Sequence, residues 1–119
     1  MDISIFNKIP KDKFLKSVQP TIVHRLGFFQ GATYDLIELF AGIVYPPHYH
    51  KKAQGYLDFV IGEGIFILNG EEIPYQRGSS FFIPCKIKHG FKPKVQTLIL
   101  SIQSPPTKEY KTGKEDLYF

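Results

Sequence analysis

Residues 46–56 read "PPHYHKKAQGY". His48 and His50 are two residues apart in a segment of aromatic, β-branched and proline residues, and that context predicts an extended chain. Successive side chains of a strand point to opposite faces, so residues two apart share a face. Both imidazoles can therefore be aimed into one space, at the separation two ligands of a single metal ion require. A third ligand must come from elsewhere, and His89 is the candidate. The remaining histidine, His24, sits in "TIVHRLGFF" with no chemical partner beside it in sequence.

Working outward, almost every segment has strand character. Expected strands are Thr21–Phe29, Tyr34–Phe40, Val44–His50, Tyr56–Ile61, Ile65–Leu68, Glu72–Tyr75, Ser80–Ile83, His89–Phe91 and Val95–Gln103, separated by Gly- and Pro-bearing turns. Asn69-Gly70 supplies the two positive-φ positions of a tight hairpin joining "GIFIL" to "EEIPY". Only Lys11–Val18 has the pattern of a helix, short and amphipathic. Many short strands in 119 residues imply one all-β domain, a sandwich or small barrel. Its core spans roughly residues 21–103, with an N-terminal arm (1–20) and a polar tail (104–119). The tail's "LYF" end, Leu117 to Phe119, has enough apolar surface to dock.

The spacing around the histidines carries a family resemblance. Gly42, "IVYPP", His48-Tyr49-His50, "KKAQ", Gly55, "YLDFVI" and Gly62 follow one another. The run resembles the first motif of the cupin superfamily: glycine, five residues, His-x-His, three or four residues, glutamate, six residues, glycine. Gly78, "SSFFI", Pro84-Cys85-Lys86, "IK", His89, "GFK" and Pro93 resemble the second motif. There Lys86 replaces a glycine and Pro93 an asparagine. The two motifs span most of residues 36–93 in the right order.

The resemblance implies a cupin-type double-stranded β-helix, a jelly-roll barrel. It also implies that His48, His50 and His89 hold one divalent transition metal (iron, nickel, copper or zinc). The family's fourth ligand, a glutamate, is missing. Register puts that vacancy at Gly55, because Gly55, Leu57, Phe59 and Ile61 form an inward face. A one-residue bulge would put Gln54 there instead, as an additional but neutral and weaker ligand. Glu38 shares the parity of His48 and His50 and is a replacement carboxylate to test, whereas Glu63 belongs to a turn facing solvent. Tyr45, Tyr56, Phe59, Phe82 and Phe91 are candidate pocket-lining residues, and equally what a barrel core needs.

Cys85, the sole cysteine, excludes an internal disulfide and reads as a small buried hydrophobe. Lys86 and Lys88 lie close to His89 and offer positive charge to an anionic substrate. The net charge of +4 arises from scattered lysines, and no nucleic-acid motif accompanies them. No apolar run is long enough to span a membrane. With neither a signal-peptide pattern nor paired cysteines, the expected setting is cytoplasmic.

Two functions follow from the resemblance. One is a mononuclear three-histidine enzyme, dioxygenase-like, acting on a small molecule. The other is a non-catalytic module that binds or senses a small, sugar-like ligand after losing full metal coordination. No inward carboxylate offers itself as acid or base, which leaves Tyr45 or Tyr56 only if strongly perturbed. Small cupins often dimerise through N-terminal strands, and "DISIF" (2–6) suits that role, so a homodimer is expected.

Overall fold

The computed structural model describes residues 11–14 by their backbone, and residues 21–105 and 117–119 in full. Among the described residues ten strands follow in order: β1 (Lys11–Phe14), β2 (Thr21–Phe29), β3 (Ala32–Leu39), β4 (Tyr45–His48), β5 (Gln54–Ile61), β6 (Gly64–Leu68), β7 (Glu71–Tyr75), β8 (Ser80–Ile83), β9 (His89–Pro93) and β10 (Thr97–Ser104). Among the described residues there is no helix.

Pairing is antiparallel throughout. A six-stranded sheet runs β1-β2-β3-β10-β5-β8, and a four-stranded sheet runs β4-β9-β6-β7. The non-sequential order of both sheets is that of a jelly roll. Two hairpins use the turn chemistry of their sequences. Asn69-Gly70 adopts φ values of 51° and 81°, and Gln30-Gly31 adopts 49° and 77°. Such paired positive-φ residues match the right-handed twist of the strands they join.

Lys11–Val18 does not behave as the pattern predicts. Lys11–Phe14 is a strand, in register with β2 from Lys11↔His24 to Phe14↔Thr21. A helix of two turns pays its nucleation cost without enough propagation to offset it, whereas an open sheet edge supplies backbone partners at once. Residues 15–18, the "DISIF" arm and tail residues 106–116 lie outside the described residues.

The core fills the space between the sheets. Leu39, Leu57, Phe59 and Ile99 from the six-stranded sheet meet Tyr45, Phe66, Tyr75 and Phe91 from the other. Phe59 stacks on Tyr75 with ring centroids 4.2 Å apart, and Phe66 packs on Phe91 at 5.4 Å. Burying each such ring stabilises the fold by roughly 2–3 kcal/mol at ordinary transfer coefficients. The inward alternation of Gly55, Leu57 and Phe59 holds, with all three buried and Gln54 and Tyr56 exposed between them.

Candidate metal centre

His48 ends β4 and stands directly opposite His89, the first residue of β9. This cross-strand register brings together two residues distant in sequence, with ring centroids 4.2 Å apart. His50 follows two residues later. Its ring lies 5.3 Å from both His48 and His89. One ring nitrogen from each of the three falls within 4.8 Å of the others, and His50 and His89 are buried. Among the described residues no carboxylate or cysteine joins the group.

Local backbone contacts fix these positions. Gly90 allows β4 to lie close to β9, since a Cβ there would meet the Tyr45 carbonyl oxygen at 2.7 Å and the Pro47 nitrogen at 3.0 Å. Lys86, at φ 68°, donates its amide to the His50 carbonyl oxygen at 2.6 Å. The loop that precedes His89 is thereby tied to the segment that follows His48. The imidazole of His89 contacts the Ile87 carbonyl through Nδ1 at 3.2 Å. A carbonyl only accepts, so Nδ1 carries the proton and Nε2 is left as the basic nitrogen.

Electrostatics favour neutral rings at His48 and His89. Burial pushes His89 down from 6.5 to about 4, helped by the nearby His50. His48 lies well below the ordinary histidine range, chiefly through desolvation and then through His89 and His50. Uncharged imidazoles are the form that donates to a metal, and three converging histidines are a donor set that intermediate divalent ions take. The residues therefore fit a transition-metal ion.

The other residues expected near the site are distributed differently. Gln54 is exposed and faces away from the interior that Gly55 enters. Tyr45, Phe59 and Phe91 are buried in the apolar core, and the Tyr45 hydroxyl accepts the Phe40 amide at 3.0 Å. Burial raises the Tyr45 phenol above its usual range, so it is not tuned for proton transfer near neutrality. Tyr56 and Phe82 do not line the interior. Both are exposed, and they pack on each other across β5 and β8 at 5.1 Å. The alternation that places Gly55 and Leu57 inside necessarily turns Tyr56 out.

Glu38 is not a replacement ligand. It lies on the opposite face of β3 from Leu39, where it bonds His24 Nε2 at 2.6 Å and Gln96 Nε2 at 3.3 Å. His24, without a visible partner in sequence, finds one across the β2–β3 pairing. Glu63, Lys86 and Lys88 are exposed, and Cys85 is a half-buried free thiol.

Thr33, Asp35, Ser101 and Gln103 are also buried and polar, and lie outside the expected site set. They continue the inward faces of β3 and β10 beyond Ile37 and Ile99. Gln103 pairs with both Thr33 and Gly55, and Gly55 with Ile83. Short loops lead from His48 to β5 and from Ile83 to His89, so this polar row is at the histidine end of the barrel. Gln103 donates to the Ser101 hydroxyl at 3.1 Å, and Arg25 holds Asp35 at 2.8 Å. Their shared parity with Leu39 and Ile99 is the one trace of them in the sequence, and it becomes readable only once those two residues are known to face inward.

Comparison with solved structures agrees with this architecture. An RmlC-like cupin from Shewanella frigidimarina superposes with a TM-score of 0.71 at 21% identity, over 83% of this chain and 86% of that one. The chain has the cupin fold. A predicted oxalate decarboxylase from Thermotoga maritima gives 0.71 at 17% identity, covering 82% and 94%. Pac13, a nucleoside dehydratase, gives 0.65 at 17% identity, covering 90% and 82%, and a Streptomyces Pac13 variant is seen with uridine. No protein-family model and no curated protein sequence matches the chain. The cupin fold and the three-histidine cluster are the established features of this chain.

Proposed function

We propose that this cupin binds one divalent transition metal (iron, nickel, copper or zinc) through His48, His50 and His89, and acts on a small polar molecule as a dioxygenase-like enzyme. The observation that carries this reading is the convergence of three imidazoles, with one ring nitrogen of each within 4.8 Å of the others. A metal bound there supplies Lewis-acid or oxygen-activating chemistry, with coordination positions left for substrate by a three-ligand set.

The chain's own residues supply the rest. The Ile87 carbonyl fixes the tautomer and tilt of His89. Phe59, Phe66 and Phe91 close the barrel beneath the histidines and keep bulk water from that side. Ser101 and Gln103, at the same end, offer hydroxyl and carboxamide groups to a polar substrate. The small-molecule relatives support the substrate class, as a Pac13 variant is seen with uridine.

A second reading is a binding or sensing module without turnover. It is favoured by the lack, among the described residues, of a carboxylate in the histidine group and by the raised Tyr45 phenol, which together leave no evident acid or base there. Elemental analysis of protein purified without chelators, beside a His48→Ala variant, tests the metal. Equal and negligible metal in both, after reconstitution with all four ions, removes the enzyme reading. Oxygen uptake with thiols and diketones then separates catalysis from binding. The reading includes a cytoplasmic homodimer, supported by the single free cysteine and the exposed Tyr56–Phe82 pair; a monomeric mass by sedimentation refutes the dimer.

A further inference from the structure

The four-stranded sheet ends at β4, so one side of that strand's backbone is open to a further partner. Immediately past β4, Tyr49 takes Tyr118 as an antiparallel partner. Tyr49 donates its amide to the Tyr118 carbonyl at 2.7 Å, and Tyr118 donates back to the Tyr49 carbonyl at 2.9 Å. Their rings stack at 5.5 Å with 29° between planes. The ammonium of Lys51 stands 4.2 Å from the centre of the Tyr118 ring, within cation–π range. Tyr49 separates His48 from His50, so Tyr118 is fastened between two of the three histidines.

Phe119 comes next, and its ring lies 6.0 Å from that of His48 while the residue is 54% exposed. It has one side towards the histidine and the other in solvent, as a rim residue does. We propose that Leu117–Phe119 is the closing wall of the three-histidine centre, with Tyr118 as its fastening and Phe119 as the residue that limits access to His48. Among the described residues the fastening is one bridge outside the named strands, so opening it breaks no pairing within either sheet. Small probes and metal reach His48 when it opens. Only the metal arm of the test rests on the function proposed above.

The experiment uses two variants of the full chain. Tyr118→Pro removes the amide donor of the bridge, and Phe119→Ala removes the rim ring. In metal-free protein, the rate of diethyl pyrocarbonate modification at His48 is measured by mass spectrometry relative to that at His24. His24 is buried against Glu38, away from the centre, and reports global loosening. The His48-to-His24 ratio should rise about tenfold in each variant, the factor expected for losing roughly one net hydrogen bond or ring contact. An unchanged ratio in both overturns the proposal. With nickel or zinc loaded, release to a competing chelator should accelerate by a similar factor. If no metal binds, the three-histidine function fails while the modification ratio still decides whether the wall exists.

Discussion

Gly55 lies so close to Ile102 across the β5–β10 pairing that a Cβ on it would fall 1.8 Å from the Ile102 carbonyl oxygen. The obstruction is backbone on backbone, with the Ile102 carbonyl carbon at 2.8 Å and the Gln103 Cα at 3.1 Å. No rotamer change relieves it. The position at which the cupin motif carries a glutamate therefore accepts no side chain in this barrel, and among the described residues the donor group is the three histidines.

Restoring the motif residue should accordingly fail. Gly55→Ala and Gly55→Glu are each expected to destabilise the protein by about 3 kcal/mol, the scale of overpacking and backbone displacement. Gly55→Glu should bring no gain in metal affinity. Denaturant unfolding and a nickel or zinc titration check the two halves, and a tighter Gly55→Glu site would refute the obstruction.

Gly90 offers a way to disturb the centre without touching a ligand. Gly90→Ala must push Tyr45–Pro47 away from β9, and with them His48. A displacement of this kind should weaken metal binding by about tenfold or more, in line with losing the support of a ligand. Circular dichroism should remain that of a β-protein. Unchanged affinity would show that β4 has room to adjust.

Acidification should destabilise the metal-free protein. His89 is held at about 4 when folded against 6.5 as its reference, so between those values the unfolded chain binds the extra proton. Stability then increases with pH across that window and falls as pH drops from 6.5 towards 4, by on the order of 3 kcal/mol for this residue. His48, lowered in the same direction, adds to the slope. Urea midpoints from pH 7 to 4.5 measure it, and a flat profile in which His89→Gln behaves like the wild type contradicts the assignment.

Glu38 separates structural from metal roles. Glu38→Gln weakens a 2.6 Å buried contact to His24 and should cost about 1–3 kcal/mol. Metal stoichiometry and affinity should not change, because the carboxylate is on the outer face of β3. Thermal unfolding and elemental analysis on the same preparation give both answers.

Much of this barrel is legible in its sequence because local rules agree with the global fold. The hairpin at Asn69-Gly70, the alternation Gly55–Leu57–Phe59 and the H-x-H at His48 and His50 each need only turn chemistry or strand parity. What escapes those rules depends on partners far along the chain. Lys11–Phe14 has a helix pattern but takes the β2 edge. Tyr56 and Phe82 resemble pocket residues by type, yet their parity puts them outside. Glu38 shares its parity with the histidines only on paper, because Pro46 and Pro47 break the register between Tyr45 and His48. The polar row from Thr33 to Gln103 was hidden for another reason, since single polar residues among β-branched ones read as surface until the opposing sheet is in place.

The same two prolines have a consequence for how the molecule comes apart. Neither has an amide hydrogen, so β4 meets β9 through only two register pairs, Tyr45↔Phe91 and His48↔His89, with an irregularity between them. Slow hydrogen–deuterium exchange at the far end of this strand then depends on the imidazoles more than on the ladder. In the function proposed above, an ion shared by His48 and His89 would act as a rivet through this seam, and exchange at His50 would report metal occupancy without any substrate.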